Sequence, residues 1–385
     1  MAAPATRRRF AIIDACLLAA AIAIPLGARA LPGDWNVTGL FTNVIVFAIL
    51  GLALNVLTGF TGLLNLGVAA FAAIGAYTFS IATCDIYPFQ VGFWWGLGAT
   101  LVAGAIAGFA LGAPTLRVRG DYLAIVTMGF GEIVKDVLIN LDTITKGTQG
   151  INPLPGPSLF GHELETNGRY YLLLAILVVV VAGCRALERS RVGRAWLSIR
   201  EDELASRAMG IPPDRTKMLA FATCAALAAL SGGLGASLLS SSGEPGNFDF
   251  QISILALCIV IVGGMGSVRG VLLGAVIMVG INPLVLEQLS RAIGSSSAPA
   301  PGALEAAQGL DRVGVFLKVW AQNVLINPNN WKFGIFGLAL ILMMIFRPEG
   351  LLPPRGLHEE APDEGADGAD GAGSAGGAAA KGARA

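Results

Sequence analysis

The sequence predicts an all-α polytopic membrane protein with about ten transmembrane helices, some broken at glycine-rich stretches, and with both termini in the cytoplasm. Composition is the first reason: 14% of the 385 residues are charged and 54% are hydrophobic, whereas soluble domains carry about 25% charged residues. The second reason is a series of long apolar runs. The third is a pair of clusters among the 51 glycines, each of which joins two of these runs.

The apolar runs set the number of predicted spans. A helix rises about 1.5 Å per residue, so about 20 residues cross a hydrocarbon layer of ~30 Å. Runs that approach this length lie near residues 10–30, 40–58, 63–82, 92–113, 122–140, 170–184, 218–239, 251–265, 268–289 and 333–346. Counted from a cytoplasmic N-terminus, they put most of the flanking Lys and Arg residues on the inner side, as the positive-inside rule requires.

The two ends of the chain are predicted to differ from the middle. Residues 1–37 contain a basic start and the first apolar run; this resembles a signal peptide, but we interpret it as a retained helix because many spans follow. Residues 38–352 are predicted to form the transmembrane domain, with a long periplasmic loop at 290–332. Residues 353–385 are acidic and rich in Gly and Ala, without apolar periodicity, so a disordered tail is predicted.

One long charged segment, Arg185–Lys217, interrupts the apolar runs. It contains seven arginines and one lysine, so the positive-inside rule places it in the cytoplasm. Ser198–Gly210 is predicted to form one short amphipathic helix that stops at Gly210 and the following prolines, because glycine favours helix C-caps and proline cannot continue the hydrogen-bond ladder. Such a helix would be a docking surface, and a solvated loop with a basic bias is the alternative.

The two glycine-rich stretches suggest a weak internal repeat of the kind found in duplicated transporter bundles. Their translocation-path candidates are Gly59, Gly62, Asn65 and Gly67 in the first stretch and Gly263, Gly264 and Gly266 in the second. Small residues let helices break near a pathway, although ordinary helix packing uses glycine in the same way.

Ionisable residues inside the fifth run add a further candidate face. Glu132, Lys135 and Asp136 follow the spacing i, i+3 and i+4, so they share one side of a helix. Ionisable groups at membrane depth are costly and tend to face the bundle interior or water, which makes Gly129, Gly131 and Glu132 path candidates. A locally paired cluster near the outer headgroups is the alternative.

The chain lacks the sequence motifs of common enzymes. There is no G-x-x-x-x-G-K-[ST] motif for ATP, and no G-x-S-x-G or H-E-x-x-H motif. Five scattered cysteines and two histidines have no metal-ligand spacing, so no catalytic residue, metal or cofactor is predicted. Basic residues lie beside the spans, which argues against nucleic-acid binding. The sequence therefore predicts a transporter driven by a partner or a gradient.

Several separated motifs in the right order resemble the permeases of branched-chain amino-acid ABC importers, specifically the larger, LivM-type subunit. The resemblance covers roughly residues 38–352. Its motifs are Gly59 to Tyr77, Arg119-Gly120-Asp121-Tyr122-Leu123-Ala124-Ile125, Gly129-Phe130-Gly131-Glu132-Ile133, the Gly193–Ile211 stretch, Gly263-Gly264-Met265-Gly266-Ser267 and Phe346-Arg347-Pro348-Glu349-Gly350-Leu351.

The resemblance implies a multi-pass protein of the bacterial inner membrane that pairs with a second, LivH-like permease. Two cytoplasmic P-loop ATPases would dock on Ser198–Gly210 and on its counterpart in the second permease, and a periplasmic binding protein would deliver leucine, isoleucine, valine or a related substrate. The ATPase-coupling residues implied are Arg194, Arg200, Glu201, Glu203, Ala205, Ala208 and Gly210. The chain itself would have no ATPase site.

Other functions stay open at this point. Importers of urea, amides or other amino acids use similar permeases, so the resemblance is compatible with these substrates as well. An ion-coupled secondary transporter would use Glu132, Lys135 and Asp136 as a relay. A membrane enzyme or a purely structural subunit is less consistent with the motifs.

Overall fold

The computed structural model describes residues 21–23, 25, 37–88, 90–115, 121–159, 162–281, 332–347 and 350–352. The chain divides into two units, Met1–Pro353 and Pro354–Ala385, and all the described residues belong to the first. Most of the first predicted span, the predicted periplasmic loop up to residue 331 and the predicted tail lie outside the described residues.

In the described part of the chain, the regular secondary structure is helical apart from one hairpin of two two-residue strands. Its helices, in chain order, are α1 (Val37–Leu54), α2 (Val68–Thr83), α3 (Phe93–Thr115), α4 (Asp121–Asn140), α5 (Asp142–Thr145), α6 (Thr166–Arg189), α7 (Arg191–Glu201), α8 (Glu203–Ala208), α9 (Pro213–Leu239), α10 (Phe250–Gly263), α11 (Val268–Ile281) and α12 (Lys332–Phe346). The hairpin pairs β1 (Ser158–Leu159) with β2 (His162–Glu163) in antiparallel register. The prediction of an all-α fold is confirmed.

Five helices in the described residues are long and apolar enough to cross a membrane. They are Thr38–Gly59, Phe93–Thr115, Thr166–Arg189, Pro213–Leu239 and Pro245–Gly263, and each lies over a predicted apolar run. Val68–Thr83 and Val268–Gly280 are shorter apolar helices. The protein is therefore a multi-pass membrane protein.

The central helix of the bundle is α9, which packs against α1, α2 and α3. Small residues allow this close approach: a Cβ on Gly232 of α9 would lie 1.8 Å from the Ala72 carbonyl oxygen of α2, and one on Gly75 would lie 2.0 Å from the Ala229 carbonyl oxygen. On α3, a Cβ at Gly104 would approach the Ala229 Cβ to 2.5 Å. The helix backbones are thus in direct contact, as small-residue interfaces in membranes permit.

The first transmembrane helix does not end regularly. Residues Asn55–Gly59 form one π-helical turn after α1, the helix continues to Thr61, and the chain then runs without helix to α2. All five residues of the π turn are buried. We call residues 59–67 the helix break, and its position matches the first glycine-rich stretch.

Candidate functional site

The charged segment folds as two helices rather than the single Ser198–Gly210 helix predicted from the sequence. Helix α7 ends at Glu201, Asp202 is extended, and α8 begins at Glu203. The Asp202 carboxylate accepts hydrogen bonds from the backbone N–H groups of Leu204 and Ala205, at 2.7 and 3.0 Å. The single-helix prediction is wrong because Asp202 competes with the helical ladder and caps a new helix instead.

The second boundary of α8 is the one that the sequence predicted. Gly210 has φ +85°, and the Ile211 and Gly210 N–H groups donate to the carbonyls of Ser206 and Arg207, both at 3.1 Å. This pair of bonds is a Schellman motif, in which glycine supplies the left-handed residue. Pro213 then begins α9, where its missing N–H is not needed.

Helix α7 is anchored on the membrane bundle by Trp196. The side chain is fully buried, and its Nε1–H donates to the Thr216 carbonyl of α9 at 2.9 Å. The indole stacks on Phe60 of the helix break, with ring centroids 6.5 Å apart and an interplanar angle of 14°. Trp196 therefore connects α7 both to α9 and to the end of the first transmembrane helix.

The predicted coupling residues separate into an outer and an inner set. Arg194, Glu201, Ala205, Ala208 and Gly210 are exposed. On this outer side the apolar side chains of Leu204 and Met209 are 78% and 84% exposed.

The inner set contains Glu203 and Arg200. The Glu203 carboxylate pairs with Lys217 of α9 at 2.8 Å, which ties α8 to the bundle. The Arg200 guanidinium turns inward, and its Nη1 donates to the Gly59 carbonyl at 2.5 Å.

Gly59 and Gly62, both predicted path residues, lie where the charged segment contacts the helix break. A Cβ on Gly59 would lie 2.2 Å from Asn55 Oδ1, and one on Gly62 would lie 3.2 Å from Arg200 Cγ. Gly62 also has φ +71°, a conformation that other residues rarely adopt. The break is therefore packed directly against the charged segment.

The second glycine-rich stretch meets the first through Asn55, a residue that sequence reasoning missed. Its buried Oδ1 accepts from the Gly266 N–H at 2.8 Å. Gly263 ends α10, and Gly264 and Gly266 lie in the turn between α10 and α11. A Cβ on Gly263 would lie 2.2 Å from the Gly270 carbonyl oxygen. A polar residue near the end of an apolar run was the available signal for Asn55.

Asn65 stabilises the helix break from within, α4 contributes a hydrogen bond to the break, and α10 contributes one to the start of α2. Asn65 is fully buried and accepts from the Gly67 N–H at 2.8 Å, while its Nδ2 has no hydrogen-bond partner in the described residues. Thr127 Oγ1 accepts from the Leu66 N–H, and Ser253 Oγ accepts from the Ala69 N–H, both at 3.1 Å. Sequence reasoning missed Thr127 and Ser253, whose role depends on helices distant in the chain.

The α4 candidates do not lie together. Gly131 approaches the break, because a Cβ there would lie 3.7 Å from the Gly67 Cα, whereas Gly129 is exposed with nothing within 4 Å. Glu132 forms an ion pair with Lys135, and the two side chains are 43% and 22% exposed. Glu132 and Lys135 are thus paired with each other on α4. Within the described residues no cluster of His, Cys, Asp or Glu could hold a metal ion.

Comparison with known proteins gives one consistent result. Residues 36–344 match the family model described as "Branched-chain amino acid transport system / permease component". The chain is 37% identical over 336 residues, 81% of its length and 69% of theirs, to the "High-affinity branched-chain amino acid transport system permease protein LivM" of Salmonella typhimurium and of Escherichia coli K12. It is 24% identical over 274 residues, 68% of its length and 82% of the relative's, to the ribose import permease protein RbsC of Escherichia coli K12. No solved structure matches the chain.

Proposed function

The chain belongs to the family of permease components of branched-chain amino acid transport systems, and from that premise we propose that it is the LivM-type transmembrane subunit of an ABC importer. It would move branched-chain, hydrophobic amino acids into the cell across the bacterial inner membrane. The relatives with 37% identity are named as high-affinity permeases for these substrates. The chain would be a transporter subunit without an ATPase site of its own, driven by partner ATPases.

One observation carries the assignment of the docking surface. On the outer side of α8, Leu204 and Met209 are 78% and 84% exposed although they belong to a charged segment. Asp202 at one end and Gly210 at the other fix the ends of this six-residue helix. A short capped helix that presents two large apolar side chains is suited to bind a protein partner, because burying these side chains would be favourable.

The partners and the topology follow from the same proposal. A second, LivH-like permease would complete the translocation path. One P-loop ATPase would bind the outer side of α8, a second ATPase would bind its counterpart in the partner permease, and a periplasmic protein would deliver the substrate. The full chain would have about ten spans with both termini in the cytoplasm. Residues 1–37 would form the retained first helix, 38–352 the transmembrane domain and 353–385 a disordered tail.

The mechanism would convert the closing of the ATPases into rigid-body movement of this subunit. A force on α8 reaches α9 through the Glu203–Lys217 ion pair and reaches α7 across the short Asp202 connection. Helix α7 is held to α9 and to the helix break by Trp196. Movement of α7 and α8 would therefore tilt the attached spans, as alternating access requires.

Affinity purification of the intact complex in mild detergent tests the docking assignment. We expect the wild-type chain to capture two P-loop ATPases, and Leu204→Asp to reduce the capture about tenfold, because a charge would be buried in an apolar contact. Leu141→Asp is the matched control, since Leu141 is 41% exposed outside the charged segment. Equal capture by both variants would contradict the assignment.

An importer for another small solute is the second candidate, because the ribose permease also aligns with 68% of this chain. Uptake by proteoliposomes in the presence of competing leucine, valine, urea or ribose separates these substrates. Uptake that follows an ion gradient after ATP is withdrawn would favour a secondary transporter instead.

A further inference from the structure

Arg200 differs from the other two arginines of α7 in the direction of its side chain. It lies on α7, whose outer residues Arg191 and Arg194 are exposed, yet its guanidinium contacts the end of the first transmembrane helix. Nη1 donates to the Gly59 carbonyl at 2.5 Å, a contact between residues 141 positions apart in the chain. The stem of the side chain packs on Gly62, where a Cβ would lie 3.2 Å from Arg200 Cγ.

The Gly59 carbonyl is a suitable acceptor because of the helix break. The helix ends at Thr61, two residues after Gly59, and Gly62 turns the chain away with φ +71°. The last carbonyls of a helix have no following turn to donate to them, so they need another partner. A guanidinium is a strong donor that stays charged, and a charge-assisted bond is about twice as strong as a neutral one.

The contact continues into the bundle through the π turn that ends at Gly59. Asn55 begins this turn, and its Oδ1 accepts from the Gly266 N–H at 2.8 Å. The Gly59 backbone lies between the two, since a Cβ there would be 2.2 Å from Asn55 Oδ1 and 2.6 Å from the Gly266 nitrogen. Displacement of the Gly59 carbonyl would therefore shift both the chain at Gly62 and the turn at Gly266.

We propose that Arg200 is a positioning residue that transmits movement of the docking helices to the helix break and, through Asn55, to the turn between α10 and α11. Arg200 thus acts behind the docking surface and does not form part of it. This inference rests on the proposed function, because it assigns a transmission step to the same ATPase-driven importer.

The test compares Arg200→Met with Arg191→Met in the reconstituted complex. Both variants remove one positive charge from α7, but Arg191 is exposed. We expect R200M to capture the ATPases and hydrolyse ATP at wild-type levels while the substrate imported per ATP falls about tenfold or more, since a hydrogen bond to a charged group is lost. R191M should keep the wild-type ratio, and R200K, which retains the charge and a donor, should recover part of it.

Three results would overturn the inference. The first is a wild-type ratio in R200M, and the second is loss of ATPase capture by R200M, because Arg200 would then shape the docking surface itself. The third is a hydrogen-exchange result in the wild-type complex. If ATP binding leaves the exchange rates of the amides of 62–67 unchanged, no movement reaches the helix break. This measurement needs no variant, so it decides the question even if R200M does not insert. Absence of ATP-driven uptake in the wild-type complex would instead refute the proposed function.

Discussion

Replacing Gly232 with alanine should separate α9 from α2 and destabilise the whole bundle. The added Cβ would lie 1.8 Å from the Ala72 carbonyl oxygen and 2.9 Å from the Ala72 Cα, and both contacts are with backbone. No side-chain rotation can relieve such an overlap, so the two helices must move apart by about 1.5 Å. Overpacking of this kind typically costs about 1–3 kcal/mol.

Gly235, one turn later on α9, provides the matched control. A Cβ there would have the Val46 Cγ1 at 3.8 Å as its nearest neighbour, which is ordinary van der Waals contact. Alanine is favoured over glycine in a helix interior by up to about 1 kcal/mol. G235A should therefore be as stable as the wild type or slightly more stable, and the two variants should differ by about 1–4 kcal/mol.

Thermal denaturation in detergent, monitored by size-exclusion chromatography, measures the difference in stability between G232A and G235A. A loss of about 3 kcal/mol lowers the midpoint by roughly 4 °C in a unit of this size, because its unfolding entropy is about 0.7 kcal/mol/K. A G232A midpoint equal to or above that of G235A would refute the reasoning, because it would mean that the α2–α9 backbone contact is not part of the folded protein.

Three more predictions concern the turns and the tail. Asn55→Leu should lower the free energy of unfolding by about 1–3 kcal/mol in chemical denaturation, because the buried Gly266 N–H loses its acceptor, whereas Asn140→Leu at the exposed end of α4 should change it little. Gly210→Val should cost about 1–2 kcal/mol through its φ of +85° alone, since nothing lies within 4 Å, and should increase proteolysis of α8, with Gly210→Asn showing a smaller increase. Deletion of 358–385 should leave uptake unchanged, since the composition of that segment cannot form a core.

Much of the fold could be predicted from the sequence because membrane spans depend on local composition. Apolar runs gave the five long helices, and the run at 122–140 gave α4 with its charged face. Gly210 was predicted as a cap because the left-handed conformation at a helix end is a local requirement. The family resemblance also rested on contiguous motifs, and the match over residues 36–344 confirmed it.

The division of the charged segment could not be predicted in the same way. Helical periodicity over Ser198–Gly210 is compatible with one helix or with two, and the choice depends on whether Asp202 caps α8. The side on which Arg200 lies depends on the carbonyl that faces it from a helix 141 residues earlier in the chain. Asp is a residue type that favours N-caps, but the same residue also occurs on the polar face of a continuous helix. The partner of Arg200 has no local sequence signal.

The sequence by itself determined that the chain is a multi-pass helical protein of a recognisable permease family, because hydropathy and short motifs depend only on residues that are contiguous in the chain. Only the tertiary structure decided which of the candidate residues act together. Arg200, Gly59 and Asn55 become one connected group because unpaired backbone groups at a helix break must find partners, and packing of distant helices supplies them.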